Sequence, residues 1–344
     1  MGFLAAGLFT GVGVLLGAQP GPAKAPPGPP RSFAAARATA PDRVIVFKRV
    51  GDLELRLHAF LPPAPAPSTS TSTSNLNSAT ARERGRVPAI VYFFGGGWRG
   101  GEPAQFFWQA RYLADRGVAG FCAEYRVMKA GSPLTPVDCA ADAKSALRYV
   151  RAHAAELGLD PRRIAACGNS SGAQLAAAAG LCLTGDDPAD PSPEVSSRAD
   201  ALLLFDTPVD LFVRDDIVAR FPSPEAARAL SPLQNLRADA PPMLLWHGAA
   251  DPGLPAADAE RFTARARELG VDATIQIWPG GVHGFYHYAR DLAPDVYDAF
   301  LATTLSVDRW LVARGWLTGA PDEAALRARI GPRPPVPSAS PRTP

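Results

Sequence analysis

The stretch CGNSSGAQLA, residues 167–176, decides how this chain is read. It sets Ser170 midway between Gly168 and Gly172. The apolar run Ile164, Ala165, Ala166, Cys167 leads into it, and an alanine-rich run follows. The first reads as a buried strand and the second as a helix. A strand that turns at once into a helix crowds its own backbone. Glycines two before and two after the serine relieve that crowding and leave the hydroxyl exposed. The helix N-terminus adds a favourable field for negative charge. The plainer alternative is a Gly/Ser helix cap, with Ser171 as the rival hydroxyl, one position off the glycine frame. The choice turns on whether the chain also supplies a base, an acid and N–H donors in a workable order.

Upstream, VPAIVYFF (87–94) is a continuous apolar run, the pattern of a strand buried on both faces, and it ends in FFGGGWRGG (93–101). Bare N–H groups at glycines 95 to 97 could aim at a developing oxyanion, with the Ser171 N–H as a further donor. The loop fits neither a Walker nor a dinucleotide-binding pattern. Downstream, LLWHGAADPGLP (244–255) puts Asp251 just after another buried strand, at the carboxyl edge where open α/β sheets carry functional side chains. Asp206 and Asp258 are lower-ranked rivals. WPGGVHGFYHY (278–288) then puts His283 in a glycine-flanked loop after the last strand. Of the other histidines, His58 and His247 read as strand residues and His153 as helical, and His287 lies four residues past His283. With no carboxylate ligand pattern beside that pair, no metal site is expected. The order Ser170, Asp251, His283, behind a glycine loop, is that of α/β-hydrolases and is opposite to that of other serine-hydrolase folds.

Strands read from RVIVFKRV (43–50), LELRLHAFLPP (53–63), VAGFCAEYRV (118–127), ADALLLFD (199–206) and DATIQIWPG (272–280) alternate with helical segments. The first two form a hairpin about Gly51 and Asp52. Thr135, Pro136 and Asp138 form an N-cap, N1 and N3 set opening a helix. The fold class is therefore α/β, a mostly parallel sheet with helices on both faces and an antiparallel N-terminal edge.

The division expected is a signal or anchor segment plus Pro/Ala/Gly-rich disordered linker at 1–41, a hydrolase domain at 42–318 with a low-complexity loop at 62–87, and a peripheral tail at 319–344. The apolar start, without charge before Lys24 and followed by Ala23-Lys24-Ala25, points to export, periplasmic or extracellular, with an uncleaved anchor as the alternative. No other membrane span is expected. A net charge of +2 gives no argument for a nucleic-acid partner. Cys122, Cys139, Cys167 and Cys182 show no metal-ligand spacing and read first as buried free thiols, with disulfides open to an exported chain.

These motifs, with AEYRV (123–127), residues 138–176, residues 231–251 and GVHGFYHY (281–288), resemble α/β-hydrolase esterases of the hormone-sensitive-lipase-like and bacterial acetyl-esterase or feruloyl-esterase branch, from about residue 43 to 317. The resemblance implies ester hydrolysis through an acyl-serine without a cofactor. It makes Ser170 the nucleophile, His283 the base and Asp251 the orienting acid. It gives the oxyanion donors to Gly96, Gly97 and Ser171. Two positions depart from the pattern: Phe94 stands where that family usually has His, and the elbow reads Ser-Ser-Gly-Ala, not Ser-Ala-Gly-Gly. Trp98, Phe285 and Tyr286 are the candidate pocket walls. The substrate expected is a small ester, or an ester-decorated carbohydrate such as acetylated or feruloylated plant polysaccharide. The alternatives are a serine peptidase, a lactonase, or a binding protein on the same scaffold.

Overall fold

The computed structural model describes residues 33–63, 86–182, 184–288 and 293–336. The signal or anchor segment and most of the low-complexity loop lie outside them. Strands β1 (Arg43–Val50) and β2 (Leu53–Phe60) form the antiparallel hairpin about Gly51, whose φ of +58° suits glycine. β2 pairs antiparallel with β4 (Ala119–Ala123). From there the sheet is parallel through β3 (Val87–Phe93), β5 (Leu159–Asn169), β6 (Ala201–Phe205), β7 (Met243–Gly248) and β8 (Ala273–Trp278). The order across it is β1-β2-β4-β3-β5-β6-β7-β8.

The central strands are apolar over most of their buried length because both faces are covered. Ile164 and Ala166 of β5, Leu202 and Leu204 of β6, and Met243 and Leu245 of β7 point into one core. Ala165 and Cys167, Leu203 and Phe205, and Leu244 and Trp246 point into the other. Against the sheet pack α1 (Ala34–Arg37), α2 (Phe107–Arg116), α3 (Pro136–Ala152), α4 (Ser171–Leu181), α5 (Asp215–Val218), α6 (Pro224–Leu230), α7 (Ala256–Glu268), α8 (Pro294–Ala313) and α9 (Glu323–Ile330). The first core takes side chains from α3, α4, α6 and α7, and the second from α2, α8 and α9. The capping box of α3 is made as read: the Thr135 hydroxyl accepts from Val137 N, and Asp138 accepts from Thr135 N. All four cysteines are free and buried. Among the described residues no helix is long and apolar enough to cross a membrane.

Two short segments outside the expected hydrolase domain also carry buried side chains. Within the segment read as linker, Phe33 and Ala36 are buried, and Arg37 pairs with Glu102 at 2.6 Å. In the segment read as peripheral, Leu326 and Ile330 of α9 are buried, and Asp322 N donates to the Tyr112 hydroxyl at 3.0 Å. Two well-spaced apolar side chains suffice to dock a short helix, a signal too small to separate from a polar tail in sequence. If α9 is part of the core, Leu326→Ala should cost about 2–4 kcal/mol in urea unfolding, as buried Leu truncations do. A loss within about 0.5 kcal/mol would return it to the periphery.

Candidate active site

Ser170 sits between the last residue of β5 and the first of α4, with φ +52° and ψ −125°. A left-handed non-glycine residue costs about 1–3 kcal/mol and persists only where its surroundings over-determine it. Here they do. Ser170 N donates to Phe205 O at 2.9 Å, and Ser170 O accepts from Gln174 N at 3.1 Å. A Cβ on Gly168 would stand 2.2 Å from Gly172 O. One on Gly172 would stand 2.1 Å from Phe93 O and 2.3 Å from Phe94 O. The glycine frame read in the sequence is thus a requirement for space at both positions. Every residue of α4 is buried. Its short side chains let it lie close against β3, β5 and β6.

His283 reaches this serine from the loop after β8. Its Nε2 is 2.9 Å from Ser170 Oγ, and its Nδ1 is 2.6 Å from Asp251 Oδ2. The other Asp251 oxygen accepts from Gly253 N at 2.8 Å and Leu254 N at 3.0 Å. Burial alone would raise the Asp251 carboxyl. The His283 hydrogen bond and charge and the two N–H donors outweigh it and hold the pKa below the usual carboxylate value. An ionised carboxylate only accepts, so the His283 proton belongs on Nδ1 and Nε2 is left to accept from the serine hydroxyl. The arrangement can move a proton from Ser170 to His283 and stabilise the resulting imidazolium.

Asp206, the rival acid, does something else. It lies just past β6 with φ +42° and is buried. One oxygen accepts from Gly248 N at 3.0 Å, at the end of β7, and the other from Gly284 N at 2.8 Å, beside His283. Burial pushes its carboxyl up, against the pull of His283, His247 and the two N–H groups. Ligand atoms of Asp206, Asp251 and His283 come within 4.8 Å of one another. All four carboxylate oxygens already take N–H donors, which makes the cluster a hydrogen-bonded hub and a poor cation cradle. Asp258, the other rival, lies on α7 and pairs with Arg261.

The glycine loop leaves β3 with φ +144° at Gly96, +63° at Gly97 and +60° at Trp98. The Gln105 side chain clamps it, accepting from Gly95 N at 2.9 Å and donating to Gly95 O at 3.0 Å. The Tyr125 hydroxyl donates to Phe94 O at 2.7 Å, and the Phe94 ring stacks on that of Tyr125, centroids 4.1 Å apart. Trp98 Nε1 donates to Gln174 of α4 at 3.2 Å. Neither glutamine was singled out in the sequence, where a lone Gln carries no pattern.

Gly97, Trp98, Ser170, Ser171, Asp251 and His283 all line one cavity of about 290 Å³. Gly96 does not line it; a Cβ there would stand 2.2 Å from Gly100 O. Phe285 and Tyr286 are not its walls. After Gly284, at φ +76°, the chain turns inward, so Phe285 stacks on Trp278 and Tyr286 packs against Phe205 in the second core. The walls come from Pro208, from Ile217 of α5 and from Leu254. His287 is buried with Nε2 2.7 Å from Asn169 Nδ2, behind the elbow.

Two outcomes follow. Gly172→Ala should cost about 3 kcal/mol or more in denaturant unfolding, because its Cβ meets carbonyl oxygens of a central strand; wild-type stability would mean the elbow is looser than described. The lowered pKa of Asp251 means its ionised form is favoured by the fold. That contribution is complete above the unfolded carboxyl value of about 3.9 and is lost as pH falls through the lower folded one. Asp251 therefore stays ionised at mildly acid pH, and an acid limb in kcat/KM should lie above the carboxylate range. A limb at or below about pH 4 would contradict that assignment.

The BD-FAE family model matches residues 78–265, more than half of the chain. Esterase 2 of Thermogutta terrifontis is 34% identical over 80% of this chain and 96% of its own, with a TM-score of 0.69. Esterase LipQ of Mycobacterium tuberculosis is 29% identical over 64% of this chain and 54% of its own. A probable isoprenylcysteine alpha-carbonyl methylesterase of Arabidopsis thaliana is 26% identical over 58% of this chain and 46% of its own. The chain spans about half the length of these curated relatives. With the parallel sheet, the strained serine turn and the loop order already described, these likenesses establish that the chain belongs to the BD-FAE family of α/β-hydrolase esterases.

Proposed function

We propose that this protein hydrolyses carboxylic esters of short acyl groups through an acyl-serine. The observation that carries the reading is the unbroken relay from Asp251 through His283 to Ser170, at 2.6 and 2.9 Å. His283 takes the hydroxyl proton as Ser170 Oγ attacks the ester carbonyl. The imidazolium returns the proton to the departing alkoxide, and the alcohol leaves. Water, deprotonated by His283, then attacks the acyl-serine, and the acid is released. The N–H groups of Gly97 and Ser171, both at the cavity, receive the oxyanion. Each such donor is worth about 10²–10³ in rate.

A cavity of about 290 Å³ suits a short acyl chain. The similar Thermogutta esterase has been solved with bound propionate and with bound butyrate, which favours the same size class here. The His283 side chain is 39% exposed, so an ester on a bulky substrate could approach it. That openness, with the apolar N-terminal stretch that suggests export, favours acetyl or feruloyl groups on plant polysaccharide as the narrower substrate.

Hydrolysis of 4-nitrophenyl acetate, butyrate and octanoate by wild type and Ser170→Ala tests the reading. Activity should fall toward octanoate, and Ser170→Ala should lose at least about 10³ in kcat. Retained turnover in Ser170→Ala, or preference for octanoate, would overturn it.

A further inference from the structure

Two guanidiniums at the mouth of the cavity have no part in the relay. Arg214 and Arg220 flank α5 and both line the cavity. They share one carboxylate. Arg214 Nε and Nη2 donate to the two oxygens of Asp216 at 2.8 and 3.0 Å, and Arg220 Nη2 donates to Asp216 Oδ2 at 2.7 Å. Arg220 Nε donates to the backbone carbonyl of Asp216 at 3.1 Å. Asp216 thus pairs with both guanidiniums at once. Asp251, also at the cavity, is already committed to His283.

The remaining donors lie over the site. Arg220 Nη1 is 3.2 Å from where a Cβ of Gly97 would stand, above the glycine loop, and among the described residues nothing accepts from it. The guanidinium carbon is 5.8 Å from the centre of the Trp98 ring, which holds it near the cavity wall. Arg214 Nη1 reaches Gly253 O at 3.3 Å, a long bond on the loop of Asp251. The apolar Pro208, Ile217 and Leu254 line the same cavity as the two arginines and the serine. An apolar stretch next to the ester, followed by a carboxylate, would match wall and rim in turn. Arginine pairs with carboxylate through parallel N–H donors, which lysine cannot imitate.

We infer that Arg220, with Arg214, selects short esters whose acyl chain ends in a carboxylate, half esters of small dicarboxylic acids. The inference rests on the ester-hydrolase reading above, and its test separates the two. Monoethyl glutarate and ethyl pentanoate have acyl chains of equal length and differ in the terminal charge. Their hydrolysis would be followed by titration of released acid. Wild type should favour the half ester in kcat/KM by about tenfold, and Arg220→Gln should lower that ratio by about tenfold. Raising salt from about 20 to 500 mM should shrink the wild-type preference. Preference for the neutral ester, or a ratio unchanged in Arg220→Gln, overturns the inference. If wild type hydrolyses neither, the hydrolase reading falls, and calorimetric binding to Ser170→Ala still decides this one. Tighter binding of monoethyl glutarate than of ethyl pentanoate, lost in Ser170→Ala/Arg220→Gln, upholds it, and equal binding overturns it.

Discussion

The close approach of β3 to the first turn of α4 is the contact on which the site depends. The carbonyls of Phe93 and Phe94 pass so near Gly172 that a single added carbon would meet both at under 2.4 Å. That contact fixes two things together. It holds α4 against the sheet, and so holds Ser170 in the left-handed conformation that exposes its hydroxyl. It also sets where β3 ends, and so where the glycine loop begins. Serine and loop therefore cannot drift independently. The strain of roughly 1–3 kcal/mol at Ser170 is borne by a helix buried along its whole length.

The two aspartates divide one task. Asp251 holds the His283 ring, and Asp206 holds the backbone on which that ring is carried. Because Asp206 also takes Gly248 N at the end of β7, it ties the strand that leads to Asp251 to the loop that carries His283. A carboxylate this buried would be costly without partners, since each unmade hydrogen bond in the interior costs about 1–3 kcal/mol. Two N–H donors offset that cost, and the nearby histidines add favourable charge. The geometry of the relay is thus set from behind by a residue that holds the backbone on either side of it.

The fold and the relay were legible because they rest on local pattern. Apolar runs covered on both faces, glycines at forced positions and loops at strand ends leave marks in the chain, and Ser170, Asp251 and His283 came together as their order implied. The supports left no such mark. Gln105 acts across 10 residues of sequence through two hydrogen bonds to Gly95, and Gln174 across 76 through one from Trp98. Of the three expected pocket walls Trp98 lines the cavity, and the other two do not, for a related reason. Phe285 and Tyr286 follow His283 in the chain, but Gly284 turns them inward, while Ile217 and Leu254 arrive from other segments. Neighbourhood in sequence is a good guide to a turn and a poor one to a cavity.

The rim charge bears on selection more than on rate. An oxyanion formed at Gly97 would lie near Arg220, so an unoccupied guanidinium could assist it directly. Two unit charges about 4 Å apart interact by about 4 kcal/mol at the effective dielectric of a protein surface. Asp216 opposes this, because its carboxylate is already bonded to both arginines and cancels much of their field. A substrate carboxylate would have to compete with Asp216 for the same forks, using Nη1 of Arg220, the one nitrogen of that fork left without a partner among the described residues. Such competition rewards a correctly placed anion and gives little to one held in the wrong position. The neutral ester gains nothing from it. A cationic pair tempered by a single carboxylate therefore discriminates between substrates while contributing little general attraction for anions.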